Sequence, residues 1–236
     1  MLMTTTGEIL KQHRRTDVAK LAEAGIAGDL VFVGLVATLH VIDPDRDPIS
    51  ITVSEYVLGP YGWLLSFAAL AFGLGVLALT AAIVASLPSP RPRAGLTLLA
   101  IAGLGMVVVG AFPTDPIDPT DPRFVTISGV IHPAAGILAF TCFALSGPLL
   151  TRPILTATST TRVRGVAFLP PAGYAIFWAT GILDNQLGGL FGNRSATGLG
   201  ERLMAVTFII WLITAALGIR RAMRQGCARV PGAAVA

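Results

Sequence analysis

Charged side chains divide this chain into two faces across six long apolar segments, and this division constrains the fold more than any motif does. Thirteen of the seventeen Lys and Arg residues lie at the two ends of the chain and in the connections after the second and fourth apolar segments. The three remaining connections hold the other four, together with nine of the thirteen acidic residues. This alternation is typical of a polytopic membrane protein whose basic segments stay in the cytoplasm.

The composition and the segment lengths agree with that class. Only 13% of the residues are charged, about half the share that a soluble domain carries. A helix needs roughly 20 mostly apolar residues to cross a bilayer, and six segments meet that requirement: Leu21–His40, Gly62–Leu87, Gly95–Phe112, Ile127–Leu150, Val166–Leu183 and Leu203–Ile219. The sequence therefore predicts an all-α protein with six transmembrane helices in one bundle. Pro170 and Pro171 are expected to kink the fifth helix or to delay its start.

The positive-inside rule predicts that both termini are cytoplasmic and that the acidic connections face outward. We expect a basic N-terminal segment at 1–20, a transmembrane domain at 21–219 and a basic tail at 220–236. The expected location is the prokaryotic cytoplasmic membrane. Because the basic residues lie beside span ends, the net charge of +4 does not indicate nucleic acid. The expected partners are membrane lipids, and a homo-oligomer is compatible with the sequence.

Three runs in the acidic connections carry a resemblance. Ser54–Trp63, Phe112–Asp115 and Gly129–His132 resemble a family of prokaryotic six-span membrane proteins that is catalogued as a domain of unknown function, number 998 in its series. The resemblance extends from the first span to the last, and it implies an integral membrane protein with this topology. It carries no established activity, so functional expectations depend on the residues themselves.

Asp29 stands about nine residues into the first span, near the middle of the membrane. A charged side chain at that depth costs on the order of 2.5–3.5 kcal/mol, and intramembrane acids are often functional. Asp29 is therefore a candidate proton carrier or general acid. The structural alternative is a protonated Asp29 bonded to a neighbour such as Thr141, Tyr174 or Thr214.

Two histidines and several carboxylates are expected to meet at the outer rim of the bundle. His40 ends the first span, His132 lies one turn into the fourth, and Asp43 and Asp115 follow at comparable depth. These four and Asp29 are the candidate catalytic residues. His40, His132 and Asp115 could hold a divalent metal such as zinc. The alternatives are a metal-free acid–base pair and a polar network that holds the outer loops.

Four further residues of the acidic connections are candidates for contact with a substrate: Glu55, Tyr56, Arg123 and Asp184. Glu201 and Arg202, at the start of the last span, are interpreted as pairing with one another or with Asp184. Three functions stay open at this point. They are a membrane-embedded enzyme acting on a lipid or isoprenoid, a small proton-coupled transporter using Asp29, and a non-catalytic protein with a structural outer cap.

Overall fold

The computed structural model of the protein describes residues 6–116, 125–190 and 194–228. These residues are mainly helical and contain no β-strand. The helices are α1 (Thr6–Ile42), α2 (Gly62–Ser86), α3 (Arg93–Ala111), α4 (Ile127–Thr158), the short α5 (Arg162–Gly165), α6 (Leu169–Leu187) and α7 (Thr197–Ala228), with a 3₁₀ helix at Ser54–Leu58.

Six of the described helices are long and apolar enough to cross a membrane, which confirms the predicted six-helix bundle. Several helix ends differ from the prediction: α4 continues to Thr158, α7 covers Thr197–Ala228, and α1 and α6 begin at other residues than expected. The helix α1 begins at Thr6, so the basic residues expected in a separate N-terminal segment extend the first span as one continuous helix. The fifth span begins at Leu169 with proline in its first turn. Proline is tolerated there because the first amides of a helix have no intrahelical acceptor. Pro170 and Pro171 thus delay the start of α6.

The long helices pack as a ring. Each of α1, α2 and α3 packs along the next helix of the chain, α6 packs along α7, α7 returns to α1, and α4 closes the ring with smaller contacts to α6 and α7. Small residues allow the closest approaches, as expected where lipid removes the hydrophobic drive between helices. A Cβ added to Gly28 would lie 2.5 Å from the carbonyl oxygen of Ala71 and 2.8 Å from the Cα of Gly75.

The connections alternate between the two ends of the bundle. We call one end the acidic face, which holds the described residues of connections 43–61, 112–126 and 188–196, and the other the basic face, which holds the start of α1, the end of α7 and connections 87–92 and 159–161. Two contacts between α1 and α7 fix this antiparallel arrangement. Glu23 pairs with Arg220 at 2.7 Å near the basic face, and His40 bonds Arg202 at the acidic face.

Candidate functional site

A cavity of about 560 Å³ lies inside the ring, in the half of the bundle near the acidic face. Every long helix contributes an apolar side chain to its wall: Phe32, Phe72, Met106, Phe140, Phe177 and Phe208. The volume falls in the range of about 300–1,000 Å³ that small-molecule sites occupy. The six membrane helices therefore enclose a space large enough for a ligand.

Aromatic rings form the deep end of this cavity. Phe32 stacks on Phe72 with ring centroids 5.0 Å apart, and Phe143 links Phe72 to Phe208 at 5.7 Å and 5.1 Å. Phe32 lies ten residues before the end of α1, so these rings sit roughly 15 Å below the acidic end of the helix. The deep end is suited to an apolar chain.

The end near the acidic face is polar. Ser66, Thr114, His132, Asn185, Thr197 and Glu201 line the cavity there, with Thr52 and Ser54 of the first acidic connection. The Nδ1 of His132 donates to the carbonyl oxygen of Phe112 at 2.7 Å, because a carbonyl can only accept. In the neutral ring, Nε2 is then the acceptor. His132 is the predicted catalytic residue that the structure places in the cavity wall.

A segment that we call the lid, Ile49–Ser54, covers the cavity and is fastened to the start of α7. The amide of Leu199 donates to the carbonyl of Ile49 at 2.9 Å, and the guanidinium of Arg202 donates to the carbonyl of Ile51 at 2.8 Å. The carboxylate of Glu201, only 9% exposed, accepts the amide of Val53 at 2.5 Å. Three successive bonds thus hold the lid over the ring.

His40 and Tyr56 support this fastening and do not line the cavity. The Nδ1 of His40 donates to Val36 at 2.6 Å, and its Nε2 accepts from the Nε of Arg202 at 3.0 Å. Both ring nitrogens are therefore engaged. The ring of Tyr56 lies 5.1 Å from that of His40, and the guanidinium of Arg202 lies 5.7 Å from the Tyr56 ring centroid, within cation–π range.

The other predicted residues of the first acidic connection are held within that connection. Asp43 pairs with the Nε of Arg46 at 2.8 Å. Glu55 accepts the amide and the hydroxyl of Thr52 at 2.8 Å and 2.7 Å. A hydrogen bond from the hydroxyl of Ser50, with a second from an amide, holds the pKa of Asp47 below its usual range. These contacts order the loop.

Asp115 and Asp184 accept hydrogen bonds that order the other two acidic connections. Asp115 accepts the amide of Thr126 at 2.5 Å and its hydroxyl at 2.7 Å, which ties the start of α4 to the connection that follows α3. Asp184 accepts bonds from Leu190, Ser195, Ala196 and Thr197 at 2.6–3.0 Å. Arg123, a predicted substrate contact, lies outside the described residues.

The predicted metal ligands are engaged separately. His40 contacts Arg202, His132 contacts Phe112, and Asp115 contacts Thr126. Within the described ranges, no three His, Cys, Asp or Glu side chains form a group that could hold a metal ion. The structure does not bring His40, His132 and Asp115 together as the expected zinc site.

Asp29 lies one helical turn below Phe32, is 1% exposed and forms no part of the cavity wall. Its Oδ2 is buried and has no hydrogen-bond partner among the described residues. The neighbours expected to bind it are engaged elsewhere: Thr141 and Tyr174 bond each other at 2.7 Å, and Thr214 donates to Ile210 at 2.7 Å. The carboxyl group is thus buried without the structural partner that the sequence suggested.

The cavity reaches the lipid-facing surface between α4 and α6. Ile137, Trp178 and Ile182 line it and are also exposed, at 47%, 41% and 52%. A Cβ added to Gly181, another wall residue, would meet nothing within 4 Å. Deeper along the same seam, the bond between Thr141 and Tyr174 joins the two helices. We call the gap beside Gly181 the lateral opening.

Sequence reasoning did not identify the roles of Glu201 and Arg202. The expected partner Asp184 binds the connection before α7, while Glu201 and Arg202 bind the lid. The available signal was the position of two adjacent charged residues inside the first turns of an apolar helix, where unpaired charges are costly. The partners were backbone groups about 150 residues away, which no local pattern indicates.

One family model matches residues 26–218 and is described as a protein of unknown function, DUF998. No curated protein matches the chain, and no solved structure does.

Proposed function

The chain belongs to the DUF998 family, and from its cavity we propose that this multi-pass membrane protein receives an amphipathic lipid or isoprenoid between its helices. One observation carries the proposal: a cavity of about 560 Å³ is covered by the lid on its polar side and reaches the lipid-facing surface beside Gly181. An apolar chain would lie against the rings of Phe32, Phe72 and Phe208.

The orientation is part of the proposal. The positive-inside rule favours the acidic face outside, so the lateral opening would face the outer leaflet. The polar end of the ligand would then meet His132, Asn185 and Thr197 under the lid. Acid–base chemistry on that end would fall to His132, with Glu201 in the same wall. His40, Asp43 and Asp115 would contribute by holding the lid and the loops. Homo-oligomerisation stays a prediction.

The lateral opening can be tested with a matched pair of glycines. A Cβ would meet nothing within 4 Å at Gly181 or at Gly34, but only Gly181 lines the cavity. The full-length protein would be incubated in phosphatidylcholine vesicles with a diazirine-bearing isoprenoid alcohol, and the labelled residues mapped by mass spectrometry. We expect Gly181→Phe to reduce labelling of the wall residues by about tenfold, with Gly34→Phe unchanged. Equal labelling of the wall in both variants would overturn the lateral route.

The same preparation distinguishes an enzyme from a binding protein. Probe recovered with an altered mass from the wild type, but not from His132→Ala, would support catalysis. Unaltered probe from both proteins would support binding alone.

Asp29 favours a second candidate, a proton-coupled carrier. Its buried Oδ2 has no partner among the described residues, and such intramembrane carboxyl groups often belong to proton pathways. In proteoliposomes containing a pH-sensitive dye, the wild type should move protons when the isoprenoid alcohol is added, and Asp29→Asn should not. Proton movement that is equal in both proteins would end this candidate.

A further inference from the structure

A second cavity, of about 350 Å³, opens at the basic face between the α2–α3 connection and α4. Two arginines from distant parts of the chain line it: Arg91 in the connection and Arg152 in α4. Much of the remaining wall is proline: Pro88, Pro90, Pro92 and Pro153. Proline fixes its own φ, so the backbone of this wall is stiff. Two positive charges thus converge on one preformed space.

Neither arginine has a hydrogen bond or ion pair to another described residue, and no acidic side chain lines this cavity. Some other cations of the basic face are engaged by the protein. Arg220 and Arg224 both bind Glu23, and Arg14 donates to the carbonyl of Ala85 at 3.2 Å. Like charges that share a site repel unless an anion joins them. The fold therefore neutralises some cations of this face internally and leaves this pair open to an external anion.

The surroundings add to the positive potential. The helix α3 begins at Arg93, directly after Pro92, with no side-chain cap and no acid in its first turn. The N-terminal end of its dipole is therefore uncompensated by the protein. The cavity also lies where α2 ends and α3 begins, at the boundary of the apolar spans, which is the depth of lipid phosphates.

We propose that this cavity binds the phosphate of an anionic lipid headgroup in the leaflet at the basic face, held between Arg91 and Arg152. Guanidinium groups bind phosphate oxygens through paired hydrogen bonds, and basic pockets between membrane helices bind anionic headgroups in this way. The open side of the cavity would admit the headgroup while its chains stay in the bilayer. This inference is independent of the cavity at the acidic face.

The test uses two double variants that remove the same charge. R91Q/R152Q changes the cavity, and R162Q/R164Q changes two exposed arginines of α5 at the same face that do not line it. Each protein would be placed in nanodiscs of phosphatidylcholine with a minor share of phosphatidylglycerol, and retained lipids counted by native mass spectrometry. We expect R91Q/R152Q to retain about tenfold less phosphatidylglycerol than the wild type, with R162Q/R164Q close to the wild type.

Two outcomes would overturn the proposal. An equal loss in both double variants would mean that the face attracts anionic lipid only through its overall charge. The second outcome concerns inorganic phosphate added to the detergent-solubilised wild type. If it displaces phosphatidylglycerol when both are present at the same concentration, the site is one for free phosphate. As a control, both double variants should unfold at about the same temperature as the wild type, which would show that the fold is retained.

Discussion

The Nε of Arg202 donates to the Nε2 of His40 at 3.0 Å, across 162 positions of the chain. The contact joins the acidic end of the first membrane helix to the start of the last one. The same guanidinium holds the carbonyl of Ile51 in the lid. One arginine therefore links the first and last membrane helices and fastens the lid of the cavity.

Arg202→Lys should lower the free energy of unfolding by about 1–3 kcal/mol, because an ammonium group cannot reach the His40 ring and the carbonyls of Ile51 and Gly198 at once. Thermal unfolding in a mild detergent measures the change. The control is Arg194→Lys, an exposed residue of the acidic face, expected to stay within about 0.5 kcal/mol of the wild type. Similar losses of stability in both variants would contradict the role of Arg202 in joining α1, the lid and α7.

Glu201→Ala should expose the amide of Val53, because it removes the carboxylate that accepts this amide. Hydrogen exchange at Val53 should rise by about tenfold or more. Glu201→Gln keeps an acceptor oxygen and should raise exchange less. The amide of Leu96, bonded to Pro92 at the basic face, should be unchanged in both. Unaltered exchange at Val53 in Glu201→Ala would show that the lid is held by other contacts.

Asp184→Ala should lower the free energy of unfolding by about 2–4 kcal/mol, because four donors between α6 and α7 lose their shared acceptor. Asp184→Asn keeps one acceptor oxygen, so its free energy of unfolding should lie between those of the alanine variant and the wild type. Asp45→Ala is the control, since Asp45 is exposed. Unfolding in detergent measures all three. A loss of stability in Asp45→Ala as large as that in Asp184→Ala would show that Asp184 does not hold the α6–α7 connection in the way proposed.

Gly28→Ala should lower the free energy of unfolding by about 1–3 kcal/mol. The added Cβ would lie 2.5 Å from the oxygen of Ala71, so α1 and α2 would have to separate. Gly34→Ala, in the same helix with open space around it, should change stability by less than about 0.5 kcal/mol. Thermal unfolding compares the two variants. An unchanged Gly28→Ala protein would mean that the helices adjust without cost.

Much of the fold was predictable because membrane insertion imposes rules that a linear sequence obeys. The six spans needed only length and hydropathy. Pro170 and Pro171 predicted either a kink in the fifth helix or a delayed start, and the structure shows the delayed start. The continuity of α1 through its basic residues was not predicted, because a hydropathy window ends where charge begins while the hydrogen bonds of a helix continue.

The candidate site was predictable only in part. The sequence singled out His132 as a candidate catalytic residue, and the structure places it in the cavity wall near the acidic face; its catalytic role stays a prediction. The sequence predicted that His40, Asp43, Asp115 and Asp184 lie at the same rim. The structure places them near that end, where each contacts a separate partner in a loop or Arg202. Which charged residues face a cavity depends on how helices rotate against one another.

The sequence by itself determined the class of the protein, the number of helices and the separation of acidic from basic connections, because each follows from the local cost of placing charge in lipid. Only the tertiary structure decided that residues 49–54 of the first acidic connection form a fastened lid above the cavity. It also decided that Arg91 and Arg152 line one cavity at the opposite face. Both arrangements join residues far apart in the chain, and their geometry arises when the helices close into a ring.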